Sequence, residues 1–181
     1  MSKGGKALRK RAAAIKLVVF DVDGTLTDGG LVLGPNGQEF KVFHVRDGQG
    51  MVMLREAGLE VAIVTSRSSE VVADRMRALG IRYVYQGYSD KLSIFQELLT
   101  ALNLRPVQCA CVGDDLTDLP LLTRAGLAVA VADAHPAVLD SAHWCTQLPG
   151  GRGAAREVCD FILDAQGRLA AMTARYAGGK F

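Results

Sequence analysis

Residues 16–30, K-L-V-V-F-D-V-D-G-T-L-T-D-G-G, constrain the fold of this chain more than any other stretch. Four apolar residues in a row, Leu17 to Phe20, predict a short strand that is buried on both faces, as in a parallel sheet. The strand ends at Asp21 and Asp23, whose side chains point the same way in an extended chain. Because open α/β sheets bind ligands at the carboxyl ends of their strands, the stretch predicts a central strand that brings two carboxylates to a site.

Two adjacent carboxylates repel each other unless a cation lies between them. A hard cation that prefers oxygen ligands suits Asp21 and Asp23, and Mg²⁺ is the natural choice. An alternative stays open for a D-x-D pair taken alone, namely that both residues only solvate a strand end and cap a turn.

The rest of the chain predicts a single α/β domain over residues 1–181. About half of the residues (49%) are apolar, which is enough for a core of its own. Strand-like segments at 60–64, 82–85, 108–112, 127–131 and 143–146 alternate with helical stripes, and this alternation is typical of a parallel sheet flanked by helices. Residues 169–181 end in a glycine-rich run without a core pattern, and we expect a flexible C-terminal tail there.

Charge and hydropathy narrow the possible partners. The net charge of +2 is too small to indicate a nucleic-acid-binding protein. Basic residues gather in an N-terminal arm, residues 1–14, which could bind RNA or an anionic membrane, although a solvated tail or an amphipathic helix fits it better. No apolar run approaches the ~20 residues of a membrane span, and no signal-peptide pattern is present. We therefore expect a cytoplasmic protein with neither nucleic acid nor membrane as a partner.

The four cysteines form no C-x-x-C pair, and their spacing does not suit a zinc site. Reduced and mostly buried thiols are the usual form in the cytosol, which agrees with the expected location. The cysteines are Cys109, Cys111, Cys145 and Cys159.

Residues 31–44 predict a β-hairpin inserted directly after the first carboxylates. Two short β-like runs flank Pro35, Asn36 and Gly37, and Asn-Gly supplies the positive φ angles of a tight turn. A hairpin of two strands is marginal by itself in water, and this one carries many apolar side chains. We expect it to join subunits of an oligomer.

Polar clusters follow four of the predicted strands. These clusters are Asp21 with Asp23, then Thr65, then the region of Lys91, and finally Asp114 with Asp115 and Asp118. Strand ends at one edge of a parallel sheet lie close together, so the clusters can form one site. Phosphoryl transfer needs a nucleophile in line, a metal on the phosphoryl oxygens, and further positive charge or donors.

The residue types suggest a role for each position. Asp21 can attack as a nucleophile, and Asp23 can act as general acid and base. Asp114 can complete a Mg²⁺ site with Asp21 and the carbonyl of Asp23. Thr65 and Lys91 can each hold phosphoryl oxygens.

Each of these positions also has a structural alternative. Thr65 could bond a turn at a strand end, and Lys91 could be solvated in the first turn of a helix. Asp114, Asp115 and Asp118 could be carboxylates favoured by a helix dipole, and Asp118 could brace the metal ligands from outside. The order of the whole set at successive strand ends favours the catalytic interpretation.

Taken together, D-V-D-G-T-L-T-D-G, H-V-R-D-G, T-S-R, G-D-D-L-T-D, V-A-D-A-H-P and G-G-R-G-A-A-R-E-V-C-D resemble the haloacid dehalogenase (HAD) superfamily. Within it they are similar to the small C0 subgroup of phosphatases that act on 3-deoxy-D-manno-octulosonate 8-phosphate (KDO 8-phosphate). The resemblance covers residues 16 to 168. It implies a Rossmann-like core without a large cap domain, and a homotetramer whose hairpins form a small barrel and whose neighbouring subunits help to close each site.

The resemblance also assigns residues. It implies Mg²⁺ binding at Asp21 and Asp114, and we expect Asp23 to complete this site and Asp115 and Asp118 to support its ligands. From its place in the chain, Arg75 lies too far along the helix after Arg67 to serve its own site easily, so it could reach a neighbour's site or instead pair with a surface acid. The substrate-binding residues that the resemblance implies are His44, Val45, Arg46, Asp47, Gly48, Arg67, Arg75 and Lys91.

The implied reaction is hydrolysis of KDO 8-phosphate through an aspartyl-phosphate, a step towards lipopolysaccharide. The chain has Ser66 where the family usually has glycine, and Val52 where some members have an arginine that faces the substrate. Three alternatives stay open: a phosphatase for a nine-carbon keto-acid sugar phosphate, a non-catalytic oligomerisation module of the same fold, and a phospho-receiver protein. Asp23 and G-D-D-L-T-D disfavour the receiver, and the complete metal set disfavours the module.

Overall fold

The computed structural model describes residues 3–178. Its strands are β1 (Leu17–Phe20), β2 (Val32–Leu33), β3 (Glu39–Phe40), β4 (Glu60–Thr65), β5 (Tyr83–Gln86), β6 (Cys109–Gly113), β7 (Leu127–Ala130) and β8 (Trp144–Cys145). Its α-helices are α1 (Lys3–Ala13), α2 (Val45–Glu56), α3 (Glu70–Ala78), α4 (Lys91–Ala101), α5 (Leu119–Leu122), α6 (Pro136–Ser141), α7 (Ala154–Ala165) and α8 (Leu169–Ala177). Single 3₁₀ turns lie at Pro35–Gly37, Pro106–Gln108 and Leu116–Asp118.

Six strands form one parallel sheet in the order β5–β4–β1–β6–β7–β8. The strand β1 lies in the middle, paired with β4 on one side and β6 on the other. All four of its residues are buried, as an unbroken apolar run predicts. The predicted parallel α/β sheet and the central place of its first strand are confirmed.

The order of the strands determines where a site can form. Crossovers from β1 through β4 to β5 run one way along the sheet, and those from β6 through β7 to β8 run the other way. Because such crossovers are right-handed, the two sets of helices cover opposite faces of the sheet. The reversal falls between β1 and β6, so the carboxyl ends of these two strands border the crevice in which open sheets bind ligands.

The predicted hairpin is confirmed as the antiparallel pair β2 and β3, in which Val32 lies opposite Phe40. At its turn Asn36 and Gly37 have φ angles of 60° and 76°, and the Gln38 amide donates to the Pro35 carbonyl. These are the positive angles for which Asn-Gly is favoured. The hairpin projects from the loop after Asp23, outside the main sheet.

The structure corrects the expectation of a flexible tail at residues 169–181. Residues 169–177 form α8, and Met172 is buried. Leu169, Met172 and Tyr176 recur at helical spacing, and the Tyr176 hydroxyl accepts a hydrogen bond from Gln49 at 2.6 Å. This stripe has a surface to pack on and therefore folds. Residues 179–181 lie outside the described part of the chain.

The N-terminal arm, residues 1–14, is mostly the helix α1, which packs on α7 through residues that include the buried Ala12. Arg9 pairs with Asp164 at 2.5 Å, and Arg11 donates to the carbonyl of Gly126 at 2.7 Å. Two basic residues of the arm are thus used within the fold. Residues 1 and 2 lie outside the described part of the chain.

No helix among residues 3–178 is long and apolar enough to cross a membrane. The thiols of Cys109, Cys111 and Cys159 are buried, and that of Cys145 is exposed. All four are free thiols.

Candidate active site

Asp21, Lys91 and Asp118 meet in a buried ion cluster at the carboxyl edge of the sheet. Asp21 follows β1 directly, and Lys91 opens α4. The ammonium of Lys91 donates to a carboxylate oxygen of Asp21 at 2.7 Å and to one of Asp118 at 2.7 Å. The Lys91 side chain is only 1% exposed, so the pair of contacts replaces its water entirely. The alternative of a solvated lysine is therefore wrong.

Burial and mutual repulsion alter the protonation of this cluster. Burial, and next the carboxylate of Asp118, raise the pKa of Asp21 to about 7. Burial opposes the charge on Lys91, but Asp21 and Asp118 outweigh burial and raise the pKa of its ammonium. Lys91 therefore keeps its proton. The ionised form of Asp21 needs further positive charge nearby to be stabilised.

Asp114, at the end of β6, faces Asp21 across the crevice. Its carboxylate accepts a hydrogen bond from the Thr25 hydroxyl at 2.9 Å. Burial raises the pKa of Asp114 to about 6, and the nearby Asp118 adds to this effect. A side chain at Gly24 would collide with the Asp114 carboxylate, because a Cβ there would lie 2.0 Å from the Asp114 Oδ2 atom. Glycine at position 24 thus lets the loop after β1 approach Asp114.

Asp118 braces this arrangement from the 3₁₀ turn at Leu116–Asp118. One of its oxygens accepts from Lys91, and the other accepts from the backbone amides of Asp114 at 3.0 Å and Asp115 at 3.3 Å. Asp118 is buried, whereas Asp115 is exposed and contributes only its amide to these contacts. Both oxygens of Asp118 thus accept hydrogen bonds within the protein, and its expected role in supporting the metal ligands stays a prediction.

Oxygens of Asp21, Asp114 and Asp118 lie within 4.8 Å of one another, close enough to surround one metal ion. When ionised, the three carboxylates carry three negative charges, and Lys91 offsets only one of them within this cluster. Closely spaced hard oxygen donors with an unbalanced negative charge suit Mg²⁺. The donor set therefore fits a magnesium ion.

The carboxylate of Asp23 belongs to a different cluster, together with two hairpin residues and Arg67. Lys41 forms an ion pair with one oxygen of Asp23 and another with Glu39, the latter at 3.3 Å. Arg67 donates to Glu39 at 2.9 Å, and its Nε atom lies 3.7 Å from the other oxygen of Asp23. Two acids face two bases here, so the cluster is balanced. The Asp23 carboxylate is not among the three whose oxygens lie within 4.8 Å of one another, and the metal contact expected of its carbonyl stays a prediction.

Thr65 ends β4, next to β1, and its side chain is buried. Its hydroxyl oxygen accepts from the amide of Arg67 at 3.5 Å, and no contact in which it donates is found within residues 3–178. The hydroxyl proton thus remains available to a ligand. Ser66 is not among the described residues with positive φ, so serine replaces the usual glycine here without backbone strain.

The predicted substrate loop, residues 44–48, turns its side chains in several directions. Asp47 is buried, and its oxygens accept from the amides of Gly153 at 3.3 Å and Arg156 at 2.8 Å, at the start of α7. Its carboxylate therefore caps a helix in this structure. His44 directly precedes α2, and its buried Nδ1 atom has no hydrogen-bond partner within residues 3–178.

Arg75 lies against the same loop. A side chain at Gly48 would lie 2.4 Å from the guanidinium of Arg75, so the absence of one makes room for it. Arg75 is half-buried, and its guanidinium makes no ion pair or hydrogen bond in the part of the chain that the structure describes. The alternative in which it pairs with a surface acid is not seen, because Asp74 pairs with Arg77 instead.

The remaining loop residues, Val45 and Arg46, are both exposed. Val45 is 77% exposed and joins the apolar surface of the hairpin. Arg46 lines an open pocket of about 270 Å³ with Arg152 and Arg156. No contact within residues 3–178 links Arg46 to Asp21 or Asp23.

The glycine-rich loop before α7 supports the loop after β1. A Cβ at Gly150 would lie 1.7 Å from the carbonyl oxygen of Gly24, and one at Gly151 would lie 2.4 Å from backbone of Thr27. The amide of Gly151 donates to the carbonyl of Thr25 at 3.0 Å. The G-G-R-G motif therefore holds the Asp21 loop by backbone contacts that other residues would prevent.

A large groove lies at the opposite edge of the sheet. It has a volume of about 1070 Å³ and includes Lys16, Glu60 and Gln108, next to the amino ends of β1, β4 and β6. It lacks the carboxylate cluster, so its size does not make it the catalytic site.

The structure thus brings Asp21, Lys91, Asp114 and Asp118 into direct proximity and places Thr65 at the adjacent strand end. Three further residues were missed by sequence reasoning: Thr25, Glu39 and Lys41. Thr25 lies within the D-G-T motif. Glu39 and Lys41 are charged residues two positions apart in an otherwise apolar hairpin strand, and this pattern could have indicated an inward-facing pair.

The sequence of this chain is similar to that of a known family and of characterised relatives. Residues 82–156 match the haloacid dehalogenase-like hydrolase family. The chain is 50% identical to the 3-deoxy-D-manno-octulosonate 8-phosphate phosphatase of Yersinia pestis over 164 residues, which cover 91% of this chain and 88% of that protein.

Solved structures agree with the sequence comparison. A crystal structure of the Yersinia pestis phosphatase matches with a TM-score of 0.90 at 49% identity, over 91% of this chain and 89% of that chain. The Moraxella catarrhalis phosphatase, solved in complex with magnesium, phosphate and KDO, matches with a TM-score of 0.91 at 38% identity, over 93% of this chain and 97% of that chain.

Proposed function

Since the chain belongs to the 3-deoxy-D-manno-octulosonate 8-phosphate phosphatase family of the haloacid dehalogenase-like hydrolases, we infer that it hydrolyses KDO 8-phosphate to KDO and phosphate, a step towards lipopolysaccharide. The observation that carries the inference is the buried cluster of Asp21, Lys91, Asp114 and Asp118 at the carboxyl edge of the sheet. This cluster offers a nucleophile, a cation site and a fixed positive charge, which are the parts that phosphoryl transfer needs.

Magnesium is the cofactor of this reaction. Asp21, Asp114 and the carbonyl of Asp23 would hold it, with Asp118 and the amide of Asp115 supporting them. When bound, Mg²⁺ supplies positive charge that neutralises phosphoryl oxygens and stabilises the ionised form of Asp21.

Asp21 acts as the nucleophile. One of its carboxylate oxygens attacks the phosphorus atom, and the bond between phosphorus and the C8 oxygen of the sugar breaks. Lys91 fixes the carboxylate and offers its ammonium to the phosphoryl oxygens, and the free hydroxyl proton of Thr65 offers another donor. This step needs the protonated form of Asp23, which gives its proton to the departing alkoxide, and KDO leaves.

The second half of the reaction returns the enzyme to its starting state. Asp23 takes a proton from a water molecule, which attacks the phosphorus of the aspartyl-phosphate. The bond between phosphorus and Asp21 then breaks, and inorganic phosphate leaves. Asp23 is thus proton donor in the first half and acceptor in the second.

The sugar must be recognised by groups other than this cluster, because Asp21 and Lys91 contact only phosphate. A keto-acid sugar presents a carboxylate, which the planar fork of arginine binds well. Arg67 lies beside Asp23, and Arg75 lies half-buried beside Gly48 without an acidic partner within residues 3–178. We assign Arg67, Arg75 and residues 44–48 to the sugar, with Arg75 serving the site of a neighbouring subunit.

The proposal includes a homotetramer held by its hairpins and a cytoplasmic location. Six of the ten large apolar side chains that are exposed in the described part of the chain lie in residues 31–45, which supports an assembly surface there. The cytoplasmic location is the expectation from the sequence analysis, the four free thiols agree with it, and cell fractionation would test it.

The function is tested by phosphate release from a panel of sugar phosphates with and without Mg²⁺. We expect KDO 8-phosphate to be the best substrate, chelation by EDTA to stop turnover, and Mg²⁺ to restore it. Ca²⁺ should bind but support turnover poorly, because it prefers more ligands and longer bonds. Asp21→Asn should remain folded and inactive, which makes it the control for contaminating phosphatases.

Full activity in excess chelator would contradict the metal site. A folded Asp21→Asn protein with parental turnover would contradict the nucleophile. Preference for a nine-carbon keto-acid sugar phosphate would leave the chemistry intact and move the assignment to the alternative substrate.

A further inference from the structure

The inward face of the hairpin carries two charged side chains that contact the site. Along β3 and the two residues after it, side chains alternate in direction, so Glu39 and Lys41 point inward while Phe40 and Val42 point outward. Phe40 is 56% exposed and Val42 is 67% exposed. In contrast, the side chain of Lys41 is 1% exposed and that of Glu39 is 14% exposed.

Lys41 is buried against Asp23. A lysine that loses its water needs acidic partners, and Lys41 has them in Asp23 and Glu39. Its ammonium binds one oxygen of Asp23. The other oxygen lies 3.7 Å from the Nε atom of Arg67, which is too far for a hydrogen bond. Asp23 therefore has one fixed oxygen and one that is free for proton transfer.

Glu39 holds Arg67 in the same way, with 2.9 Å between the Glu39 carboxylate and the Arg67 guanidinium. The Arg67 side chain is 46% exposed, so part of its donor fork faces the open crevice. Without Glu39, a long and half-exposed side chain at the end of β4 would have many conformations.

We propose that Lys41 and Glu39 are positioning residues of the hairpin: Lys41 orients the carboxylate of Asp23, and Glu39 orients the guanidinium of Arg67. The hairpin then serves catalysis as well as assembly, because it carries a contact to the proton-transfer group and another to the sugar-binding arginine. This inference rests on the proposed phosphatase function and deepens it.

The two contacts predict different kinetic defects. Proton donation matters for alkyl phosphates, whose leaving alkoxide is unstable, and hardly matters for p-nitrophenyl phosphate, whose leaving group is stable without a proton. Because kcat/KM reports steps up to the release of the leaving group, it separates this role from the later hydrolysis of the aspartyl-phosphate. The contact from Glu39 should matter only for a substrate that presents a carboxylate.

The experiment compares Lys41→Met, Lys41→Gln and Glu39→Gln with the parent, on three substrates and with Mg²⁺ present. The substrates are KDO 8-phosphate, ribose 5-phosphate, which is an alkyl phosphate without a carboxylate, and p-nitrophenyl phosphate. Lys10→Met, an exposed lysine of α1, controls for the loss of one positive charge. Circular dichroism and light scattering show whether each variant keeps the fold and mass of the parent.

We expect Lys41→Met to lower kcat/KM about 10- to 100-fold for both alkyl phosphates, because a loss of this size is part of what a general acid contributes. For p-nitrophenyl phosphate, we expect kcat/KM to fall less than about threefold. Lys41→Gln, which keeps the length and one donor, should show the same pattern more weakly. Glu39→Gln should raise KM for KDO 8-phosphate alone. Added to Asp23→Asn, Lys41→Met should cause little further loss, because both changes act on the same group.

Equal losses on all three substrates would overturn the role of Lys41, since they would point to folding or assembly instead. So would independent, additive losses in the Asp23→Asn double variant. An unchanged KM for KDO 8-phosphate in Glu39→Gln would overturn the role of Glu39. If Lys41→Met fails to fold, the kinetics of Lys41→Gln and Glu39→Gln test the two positioning roles instead. Failure of the parent to release phosphate from KDO 8-phosphate would instead count against the proposed function itself.

Discussion

At the scale of single residues, the site depends on one carboxyl group, Asp21, whose ionised form is unfavourable in the folded protein. The pKa of Asp21 rises from its ordinary value of 3.8 to about 7 in the folded protein, first because of burial and next because of Asp118. A raised pKa means that folding favours the neutral form of Asp21. The resulting stabilisation is complete below about pH 4 and is lost as the pH rises through about 7.

This leads to a prediction about Mg²⁺ and pH. Binding of Mg²⁺ must displace a proton from Asp21 at pH 6, and much less so at pH 8. We expect a fixed concentration of Mg²⁺ to raise the midpoint of thermal unfolding more at pH 8 than at pH 6. Asp21→Asn removes both the proton and the ligand charge. It should therefore make the rise in the unfolding midpoint smaller and remove most of the dependence of this rise on pH. Differential scanning fluorimetry measures both, and an equal rise at the two pH values in the parent would contradict the prediction.

At the scale of elements, the loop between the hairpin and α2 is tied to the start of α7. Asp47 accepts from two amides of that helix, Gly153 has a φ of 112°, and a Cβ at Gly50 would lie 3.1 Å from the Sγ atom of Cys159. The motifs H-V-R-D-G and G-G-R-G are therefore one packing unit, although about a hundred residues separate them. Through Gly150 the same unit supports the loop that carries Asp21.

We predict that Asp47→Ala destabilises the protein by about 1–3 kcal/mol, because two backbone amides at the start of α7, one buried and one part-buried, lose their acceptor. Urea unfolding measures this loss, and Asp74→Ala, which removes an exposed acid, provides the control. If Asp47 instead contacts the sugar, the variant will keep its stability and raise KM for KDO 8-phosphate. That result would support the substrate-binding role that the family resemblance implies for Asp47.

At the scale of the whole molecule, the two faces of the hairpin differ in character, one being apolar and the other charged. Its outward face is apolar and exposed, with Leu33 at 69% and Val42 at 67%, whereas its inward face holds Glu39 and Lys41 against the site. An exposed apolar surface of this kind needs a partner. Other copies of this chain would bury it and at the same time keep the inward face in place.

We therefore predict that Leu33→Glu combined with Val42→Glu dissociates the tetramer and lowers kcat/KM for KDO 8-phosphate. Buried carboxylates cannot be accommodated in an apolar interface, and Arg75 would lose the neighbouring site that it serves. Light scattering at micromolar concentration measures the mass, and Val107→Glu, which is 56% exposed outside the hairpin, is the matched control. A parent protein that is monomeric under these conditions would rule out the assembly.

The sequence by itself determined the elements and their order, because local periodicity decides whether a segment is a strand or a helix and which side is buried. The run before Asp21 predicted the central strand, and the polar residues after four strands predicted the site, since parallel strands must end at one edge. The helix α8 escaped prediction because its stripe is short and gains stability only from the surface on which it packs.

Only the tertiary structure decided which charges meet. Lys41 could have been a solvated hairpin residue, Asp47 a substrate ligand, and Lys91 a surface lysine, since each pattern allows several partners. Their contacts depend on how loops distant in the chain pack together: Lys41 is buried against Asp23, Asp47 caps α7, and Lys91 bridges Asp21 and Asp118. The free energy of a buried charge depends on its neighbours in space, and periodicity along the chain contains no information about those neighbours.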